Sequence, residues 1–211
     1  MVRNIRISHL YFIAMKRYFL YWFLLLSAVL FANCQATLTK MVGIKHINSY
    51  SEAELSNISK QYGVNGPVYS LDTGYIGYAN SFHDSVVRKN MMQPLQIIFF
   101  KDQKVQSHLI NCIVGGFPNL KWNRYHTFDS LPFVSSPVLE PHLQLDSIIS
   151  HVQPKPEIAV NKNICIVFWN NWMGRQSKNL IGYSKDPKVT ANYDVLYINN
   201  DNLYEYLEDA K

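Results

Sequence analysis

An unbroken run of apolar residues at positions 164–169, Ile-Cys-Ile-Val-Phe-Trp, is the clearest pattern in the chain. A run rich in β-branched and aromatic side chains is typical of a strand buried on both faces of a parallel sheet. Asn170 and Asn171 end the run, and a helical pattern begins within the next few residues. A strand, a turn and a helix N-terminus in this order favour chemistry at the turn, because free N–H groups and the helix dipole stabilise an anion or a thiolate there.

Further strands and helices are predicted on both sides of this run. Ser51 and Glu54 have the spacing of a capping box, so a helix is expected from Ser51 to Tyr62, where Gly63 stops it. Residues 93–105 predict a strand that starts at a proline, a tight turn and a returning strand. The other predicted elements are strands at 41–47, 68–72 and 193–199, and helices at 81–90, 145–152 and 203–209. Strands and helices that alternate in this way indicate an α/β fold.

Residues 113–141 form a long connection without a regular pattern, punctuated by glycine and proline. A connection of this length inside a compact domain is typical of a functional lid or of a packed Ω-like loop. Its aromatic side chains favour packing against the domain over disorder, whereas exposed aromatics would form a binding surface. These aromatic residues are Trp122, Tyr125, Phe128 and Phe133.

The segment FWNNWMGRQSKNLI, at positions 168–181, resembles the active-site segment of the thioredoxin family. In that family an apolar strand leads to Trp-Cys-Gly-Pro-Cys and then to a basic residue. Trp172, Gly174 and Lys178 match the tryptophan, the glycine and the basic residue. The three departures from the family pattern are Met173 at the attacking cysteine, Arg175 at the proline and Gln176 at the resolving cysteine.

These departures decide the chemistry that the resemblance implies. Disulfide exchange needs a thiolate nucleophile and a second thiol, but a methionine thioether cannot ionise and a carboxamide cannot form a disulfide. The resemblance therefore implies a redox-inactive member of the superfamily that acts as a protein- or peptide-binding module. Arg175 and Lys178 either attract an acidic group to the turn or are simply solvated. The alternatives are a thiol–disulfide oxidoreductase that uses Cys112 or Cys165, and an ordinary strand–helix junction of another α/β domain.

Residues 93–105 resemble the thioredoxin segment in which a cis-proline precedes an apolar strand and a hairpin. The resemblance implies that Pro94 is this cis-proline and faces the Trp172 turn, with a partner laid across the groove between them; a trans proline at the start of an edge strand is the alternative. The hairpin precedes the turn in this chain, whereas it follows the turn in the family. The resemblance thus implies a thioredoxin-like mixed central sheet with flanking helices, permuted in segment order. The alternative is a degenerate N-terminal domain followed by a truncated one.

Residues 1–33 have the pattern of a signal peptide, with basic residues, no acidic residue and an apolar run at 18–32. The run has 15 residues, fewer than the ~20 that a membrane-spanning helix needs. Residues 30–34 resemble a bacterial lipobox, which implies lipidation of Cys34. Ordinary cleavage before Thr37 and an uncleaved N-terminal anchor are the two alternatives. These patterns predict an exported protein, attached to a bacterial cell-envelope membrane on the periplasmic or outer side.

Removal of residues 1–33 leaves 16 basic and 15 acidic residues, a net charge of +1. Nucleic acid is excluded as a partner, because contacts to a phosphate backbone require a clear excess of basic residues. The expected partner is an envelope protein or an extended peptide segment. Residues 34–211 are predicted to form a single domain with an N-terminal part at 41–112, the long loop at 113–141 and a C-terminal part at 142–211.

The cysteines and histidines predict neither a metal site nor a cofactor. Cys165 lies inside the apolar run, so a buried, inert thiol is expected, with a disulfide to Cys112 as the alternative in an exported protein. His108 and Cys112 would lie ~13 Å apart along a strand, too far to share one metal ion. The other histidines lack ligand spacing, and no phosphate-binding loop or hydrolase motif occurs in the chain.

Overall fold

The structure is a computed structural model that describes most of the chain from residue 43 onward. The described residues are 43–110, 122, 129–133, 135, 140, 142–158 and 162–210. The predicted signal segment, Cys34, Cys112 and most of the loop at 113–141 lie outside these residues. Within the described ranges, no helix is both long enough and apolar enough to cross a membrane.

A mixed six-stranded sheet, in the order β3-β2-β5-β6-β1-β4, forms the centre of the fold. In chain order the strands are β1 (Tyr69–Leu71), β2 (Gln96–Lys101), β3 (Lys104–Ile110), β4 (Val152–Gln153), β5 (Ile164–Trp169) and β6 (Asp194–Asn199). Strands β5, β6 and β1 are parallel to one another. Strand β2 is antiparallel to both β3 and β5, and β4 is antiparallel to β1. The predicted hairpin and the apolar run therefore lie side by side in one sheet.

Helices cover both faces of this sheet. In the described residues they are α1 (Glu52–Gln61), α2 (Gly74–Ser81), α3 (Ser85–Met91), α4 (Leu145–Ile149), α5 (Gly174–Ser184), α6 (Pro187–Thr190) and α7 (Asp201–Asp209). Helices α1, α5 and α6 pack on one face, which we call the α5 face, and α2, α3, α4 and α7 pack on the opposite face. The α/β class and the mixed central sheet with flanking helices agree with the prediction from sequence.

Strand β5 confirms the prediction of a strand buried on both faces, since all six of its residues are buried. Cys165, Val167 and Trp169 belong to the core of the α5 face. Ile164, Ile166 and Phe168 alternate with them and belong to the opposite core. A strand with helices on both sides has no polar face, and this explains why the run shows no alternation of polar and apolar residues.

Helix α1 confirms the predicted capping box. The Ser51 backbone N–H donates to Glu54 Oε2 at 2.8 Å, and the Glu54 N–H donates to Ser51 Oγ at 3.4 Å. Hydrogen bonds from the Ser51 hydroxyl and backbone lower the pKa of Glu54. The helix is followed by Tyr62 and Gly63, where the sequence predicts its end.

Some predicted elements are wrong in extent or in kind. Residues 44–50 have no regular secondary structure, although a strand was expected at 41–47, because this segment pairs with a turn and with side chains instead of with a strand. Helix α2 was missed, since its sequence Gly-Tyr-Ile-Gly-Tyr-Ala-Asn-Ser has no capping side chain and two glycines. The helix predicted at 81–90 begins only at Ser85, after the Asp84 cap, and Val152 lies in β4 instead of a helix.

The long loop packs against the domain where the structure describes it. Trp122 and Phe133 are buried in the core of the α5 face, and the Phe133 ring meets Phe99 edge-on at 5.0 Å. The packed interpretation is confirmed for these two aromatics, while Tyr125 and Phe128 lie outside the described residues.

Loop residues also occupy the edge of β3. The His108 N–H donates to Ser135 Oγ at 3.1 Å, and the Ser107 hydroxyl donates to the carbonyl of Phe133. Lys104 forms a bridge with Gln144. Strand β3 is therefore not a bare edge that a partner strand can extend without displacing these contacts.

Candidate functional site

The carboxyl ends of the three parallel strands carry a concentration of amide and carboxylate side chains. Asn170 and Asn171 follow β5, Asn200 and Asp201 follow β6, and Asp72 follows β1. The helix after β5 packs on the α5 face, whereas the helices after β6 and β1 pack on the opposite face. Ligands of open α/β sheets bind where successive connections leave in opposite directions, so the ends of β5 and β6 are the candidate site.

Asn170 is the centre of this site and is fully buried. Its side-chain amide donates to the carbonyl oxygen of Pro94 and to Asn200 Oδ1, each at 3.0 Å. Its Oδ1 accepts the backbone N–H of Met173 at 2.9 Å. The Asn200 amide also donates to the Pro94 carbonyl, at 2.9 Å. One asparagine thus connects the ends of β5 and β6 to the start of β2.

The Asp201 carboxylate binds the backbone of the turn that follows β5. Its Oδ2 accepts the Asn171 N–H at 2.7 Å and the Asn199 side-chain amide at 2.8 Å, and its Oδ1 accepts the Trp172 N–H at 3.3 Å. Burial raises the pKa of Asp201, and the hydrogen bonds from Asn199, Asn171 and Trp172 oppose that rise. Two N–H groups of this turn, those of Asn171 and Trp172, are therefore already bound to an internal carboxylate.

The predicted site residues divide into buried and exposed groups. Met173, Gly174 and Gln176 are buried, Arg175 and Lys178 are exposed, and Trp172 is half-buried against Tyr204, with ring centroids 5.8 Å apart. The residues at the two cysteine positions of the resemblance therefore face the interior. Gly174 has a φ of +21°, and a Cβ there would lie 2.6 Å from the carbonyl oxygen of Gly43, so only glycine fits.

Pro94 lies beside the turn, but the prediction of a cis bond is wrong. The cis peptide bonds in the described residues are Leu131–Pro132 and Gln153–Pro154, and Gln93–Pro94 is trans. The trans bond leads the chain from the end of α3 into β2, which is an interior strand and not an edge. Pro94 is buried, and its carbonyl already accepts two amide donors. Because Asn170 and Asn200 bind the Pro94 carbonyl, that oxygen is not free to pair with a partner laid beside Trp172.

Residues 43–50, the covering segment, lie over the turn and were not foreseen as part of the site. The Lys45 N–H donates to the carbonyl of Trp172 at 2.7 Å, and Lys45 Nζ donates to Asn171 Oδ1 at 2.7 Å. The Asn171 amide donates to the Tyr50 hydroxyl at 2.8 Å. The Asn-Asn pairs at the carboxyl ends of β5 and β6 were a sequence signal for the buried network, but no local pattern indicates the covering segment.

Gln176 is the one side chain of the turn that the fold leaves unsatisfied on both polar atoms. It is fully buried, and neither Oε1 nor Nε2 has a hydrogen-bond partner in the described part of the chain. Gln176→Met keeps the side-chain length and removes both desolvated groups. We expect the free energy of unfolding to rise by roughly 1–3 kcal/mol, measured by urea denaturation.

A matched control comes from Gln61, an exposed glutamine at the end of α1. Gln61→Met is expected to change the free energy of unfolding by less than about 0.5 kcal/mol. A Gln176→Met protein less stable than the parent would mean that the amide has a partner that this geometry does not provide.

The described residues of the site offer neither an accessible thiol nor a group of metal-binding side chains. Cys165 is completely buried in β5, and this burial raises the pKa of its thiol well above the ordinary value. In the described ranges, no three His, Cys, Asp or Glu side chains are grouped so that they could hold a metal ion. The site consists of a hydrogen-bonded amide network, one buried carboxylate and a rim with three exposed cations, Lys45, Arg175 and Lys178.

Comparison with known proteins adds no relative to this description: no family model matches the chain, and neither a curated protein nor a solved structure matches it.

Proposed function

We propose that this protein is a redox-inactive, thioredoxin-like domain of the bacterial cell envelope that binds a partner protein or an extended peptide segment. The arrangement of the sheet supports the resemblance. The β2–β3 hairpin lies antiparallel beside β5, and β5, α5 and β6 form a parallel strand–helix–strand unit next to it. That the hairpin and the Trp172 turn belong to one sheet supports a permuted domain.

The observation that carries the proposal is the state of the turn itself. Met173 and Gln176, at the two positions where disulfide exchange needs sulfur, are buried and cannot form a thiolate. Asp201 takes the neighbouring N–H groups of Asn171 and Trp172. A turn that has no nucleophile, and whose Asn171 and Trp172 N–H groups are bound to Asp201, favours binding over group transfer, so its partner is recognised through the surface groups around the turn.

The competing function is a thiol–disulfide oxidoreductase that uses Cys112 or Cys165. Cys165 is an unfavourable nucleophile, because its thiol is fully buried and its pKa is raised. Cys112 lies outside the described residues. Membrane attachment through Cys34 or through an uncleaved N-terminal helix belongs to the same proposal, and mass spectrometry of the purified N-terminus distinguishes lipidation, simple cleavage before Thr37 and retention of residues 1–33.

An insulin-reduction assay on the purified full chain tests the choice between these functions. We expect no turnover above that of dithiothreitol alone, because no exposed thiolate lies at the turn. In parallel, we expect Cys165 to resist labelling by a thiol reagent in the folded protein and to react fully in denaturant. Cys165→Ser and Cys112→Ser are the matched controls. Turnover that disappears in either variant would establish the oxidoreductase and refute the binding proposal.

A further inference from the structure

The covering segment is held on the turn at both of its ends. At the first end, the Lys45 backbone binds Trp172, and Gly43 lies against α5, where a Cβ on Gly43 would stand 3.2 Å from Arg175 Cβ. At the second end, the Tyr50 N–H donates to Asn202 Oδ1 at 2.8 Å, and the Asn202 amide donates to the Tyr50 carbonyl at 3.0 Å. An asparagine side chain that pairs with both backbone groups of one residue can hold any extended segment, because it binds the main chain and not a particular side chain.

Hydrogen bonds hold the segment, whose residues Gly43, Ile44, Ile47 and Tyr50 are half-buried. Lys45, His46, Asn48 and Ser49 are exposed, and no residue of the segment is buried. The segment forms no helix and no strand between its two ends. Segments with few buried apolar contacts and with solvent-exposed hydrogen bonds open far more readily than the core to which they are attached. We therefore expect the segment to open at a lower free-energy cost than β5 or β6.

The α7 side of the segment is acidic, whereas Arg175 lies near its first end. A cleft of about 440 Å³ lies between residues 46–49 and α7, and its α7 wall carries Glu205, Glu208 and Asp209. Among the described residues, no lysine or arginine lines this cleft, and His46 is on its opposite wall. Lys45 adds the complementary charge, since it binds Asn171 and its positive charge lowers the pKa of the buried Asp201. A chain that replaces the segment would be favoured by a basic residue at the position of Lys45 and disfavoured by an acidic one.

We propose that the covering segment is the internal occupant of a peptide-binding site, and that the partner is a basic, extended peptide segment that takes its place. The incoming chain donates a backbone N–H to the Trp172 carbonyl, pairs its main chain with Asn202 and places a lysine or arginine beside Asn171. This inference rests on the proposed binding function and adds the chemistry of the partner and the means of regulation. In the resting protein, the tethered segment competes with the partner at a high effective concentration.

A peptide with the sequence of residues 43–50, Gly-Ile-Lys-His-Ile-Asn-Ser-Tyr, serves as the probe. Its binding to the full chain is measured by fluorescence anisotropy for the parent protein and for a variant that carries Gly43→Val and Lys45→Ala. The valine is strained at the positive φ of Gly43 and approaches Arg175, and the alanine removes the contact to Asn171. These changes loosen the segment and leave Trp172, Asn171 and Asn202 in place for the probe.

We expect the double variant to bind the probe at least about tenfold more tightly than the parent, since the tethered competitor is weakened. The same probe carrying Lys45→Glu is expected to bind the variant about tenfold more weakly than the original probe, because it loses the donor to Asn171 and brings a carboxylate near Asp201. Hydrogen exchange is measured on both proteins, and residues 43–50 should exchange faster in the variant while β5 keeps its protection.

Two results would overturn the inference. One is a loosened segment with no gain in affinity for the probe, and the other is a segment that stays as protected as β5 in the variant, since the proposal requires these contacts to hold it. Insulin reduction is assayed on the same two proteins. A failure of probe binding without insulin turnover removes the internal-occupant inference alone, whereas turnover removes the binding function on which it rests.

Discussion

Replacing Asn170 by alanine is expected to lower the free energy of unfolding by roughly 3–5 kcal/mol. The alanine leaves the Met173 N–H and Asn200 Oδ1 without their partner and removes one of the two donors to the Pro94 carbonyl. Asn170 is fully buried, so water does not replace these bonds without opening the structure. The measurement is equilibrium urea unfolding followed by circular dichroism and by tryptophan fluorescence.

Two further variants test whether the loss of stability comes from the hydrogen bonds of Asn170, and not from a change in side-chain volume or from the loss of any asparagine. Asn170→Asp keeps the size and the Oδ1 acceptor but replaces the donor to Pro94 and Asn200 with an acceptor, so it should be at least as destabilising as the alanine. Asn179→Ala removes an exposed asparagine from α5, and its effect should stay within about 0.5 kcal/mol. A loss below 1 kcal/mol in Asn170→Ala would contradict the central position that we assign to this residue.

Acidification is expected to destabilise the protein through His108. This side chain lies on β3 and is 3% exposed, and burial lowers its pKa from 6.5 to about 4. The Gln96 amide donates to the carbonyls of Met91 and Gln93, so its Oε1 accepts the Nε2–H of a neutral imidazole at 2.9 Å. Burial therefore favours the neutral form of His108, and the bond to Gln96 satisfies its Nε2–H.

The direction of the pH effect follows from the lowered pKa. Between pH 6.5 and pH 4, His108 binds a proton in the unfolded chain but stays neutral in the folded protein. The stability that neutral His108 contributes to the folded state is therefore complete above pH 6.5 and is lost as the pH falls towards 4. The loss relative to neutral pH is roughly 2 kcal/mol at pH 5 and 3 kcal/mol at pH 4. The free energy of unfolding, measured by urea titration at each pH, should decline over this range.

A comparison of variants isolates His108 from the other groups that titrate in the same range. The raised pKa of Asp201 acts in the opposite direction, since its carboxyl binds a proton more readily in the folded state. His108→Gln can still donate to Gln96 but has no charge to gain, so the difference from the parent should report His108 alone. His142→Gln changes an exposed histidine and should follow the parent curve. Parallel curves for the parent and His108→Gln would show that His108 is not responsible.

Several parts of the fold follow directly from local patterns. The apolar run at 164–169 is sufficient to predict β5, because a strand between two helical layers can carry no polar face. Ser51 and Glu54 predict the start of α1, because a capping box acts within one turn of the helix. The hairpin β2–β3 and the helix after Asn171 are equally local, and each was predicted close to its observed position.

The candidate site could be predicted only in part. The sequence predicts that Met173 and Gln176 lie at a strand–helix turn. It also shows by itself that neither position carries an ionisable sulfur. It does not place Asn170 against Pro94 and Asn200, because those contacts join residues 76 and 30 positions apart. The prediction of a cis bond at Pro94 is wrong for the same reason, since the resemblance supplied no information on the amides that surround this proline.

The chain's own pattern of apolar, capping and turn residues determines the α/β class, the strand at 164–169 and the lack of thiols at the Trp172 turn, because each depends on neighbours within a few residues. The tertiary structure alone decides that Asp201 closes the turn, that residues 43–50 lie over it and that Gln176 is buried without a partner. These features depend on which distant segments the folded sheet brings to one edge, and a hydrogen bond between distant residues leaves no periodic mark in the sequence.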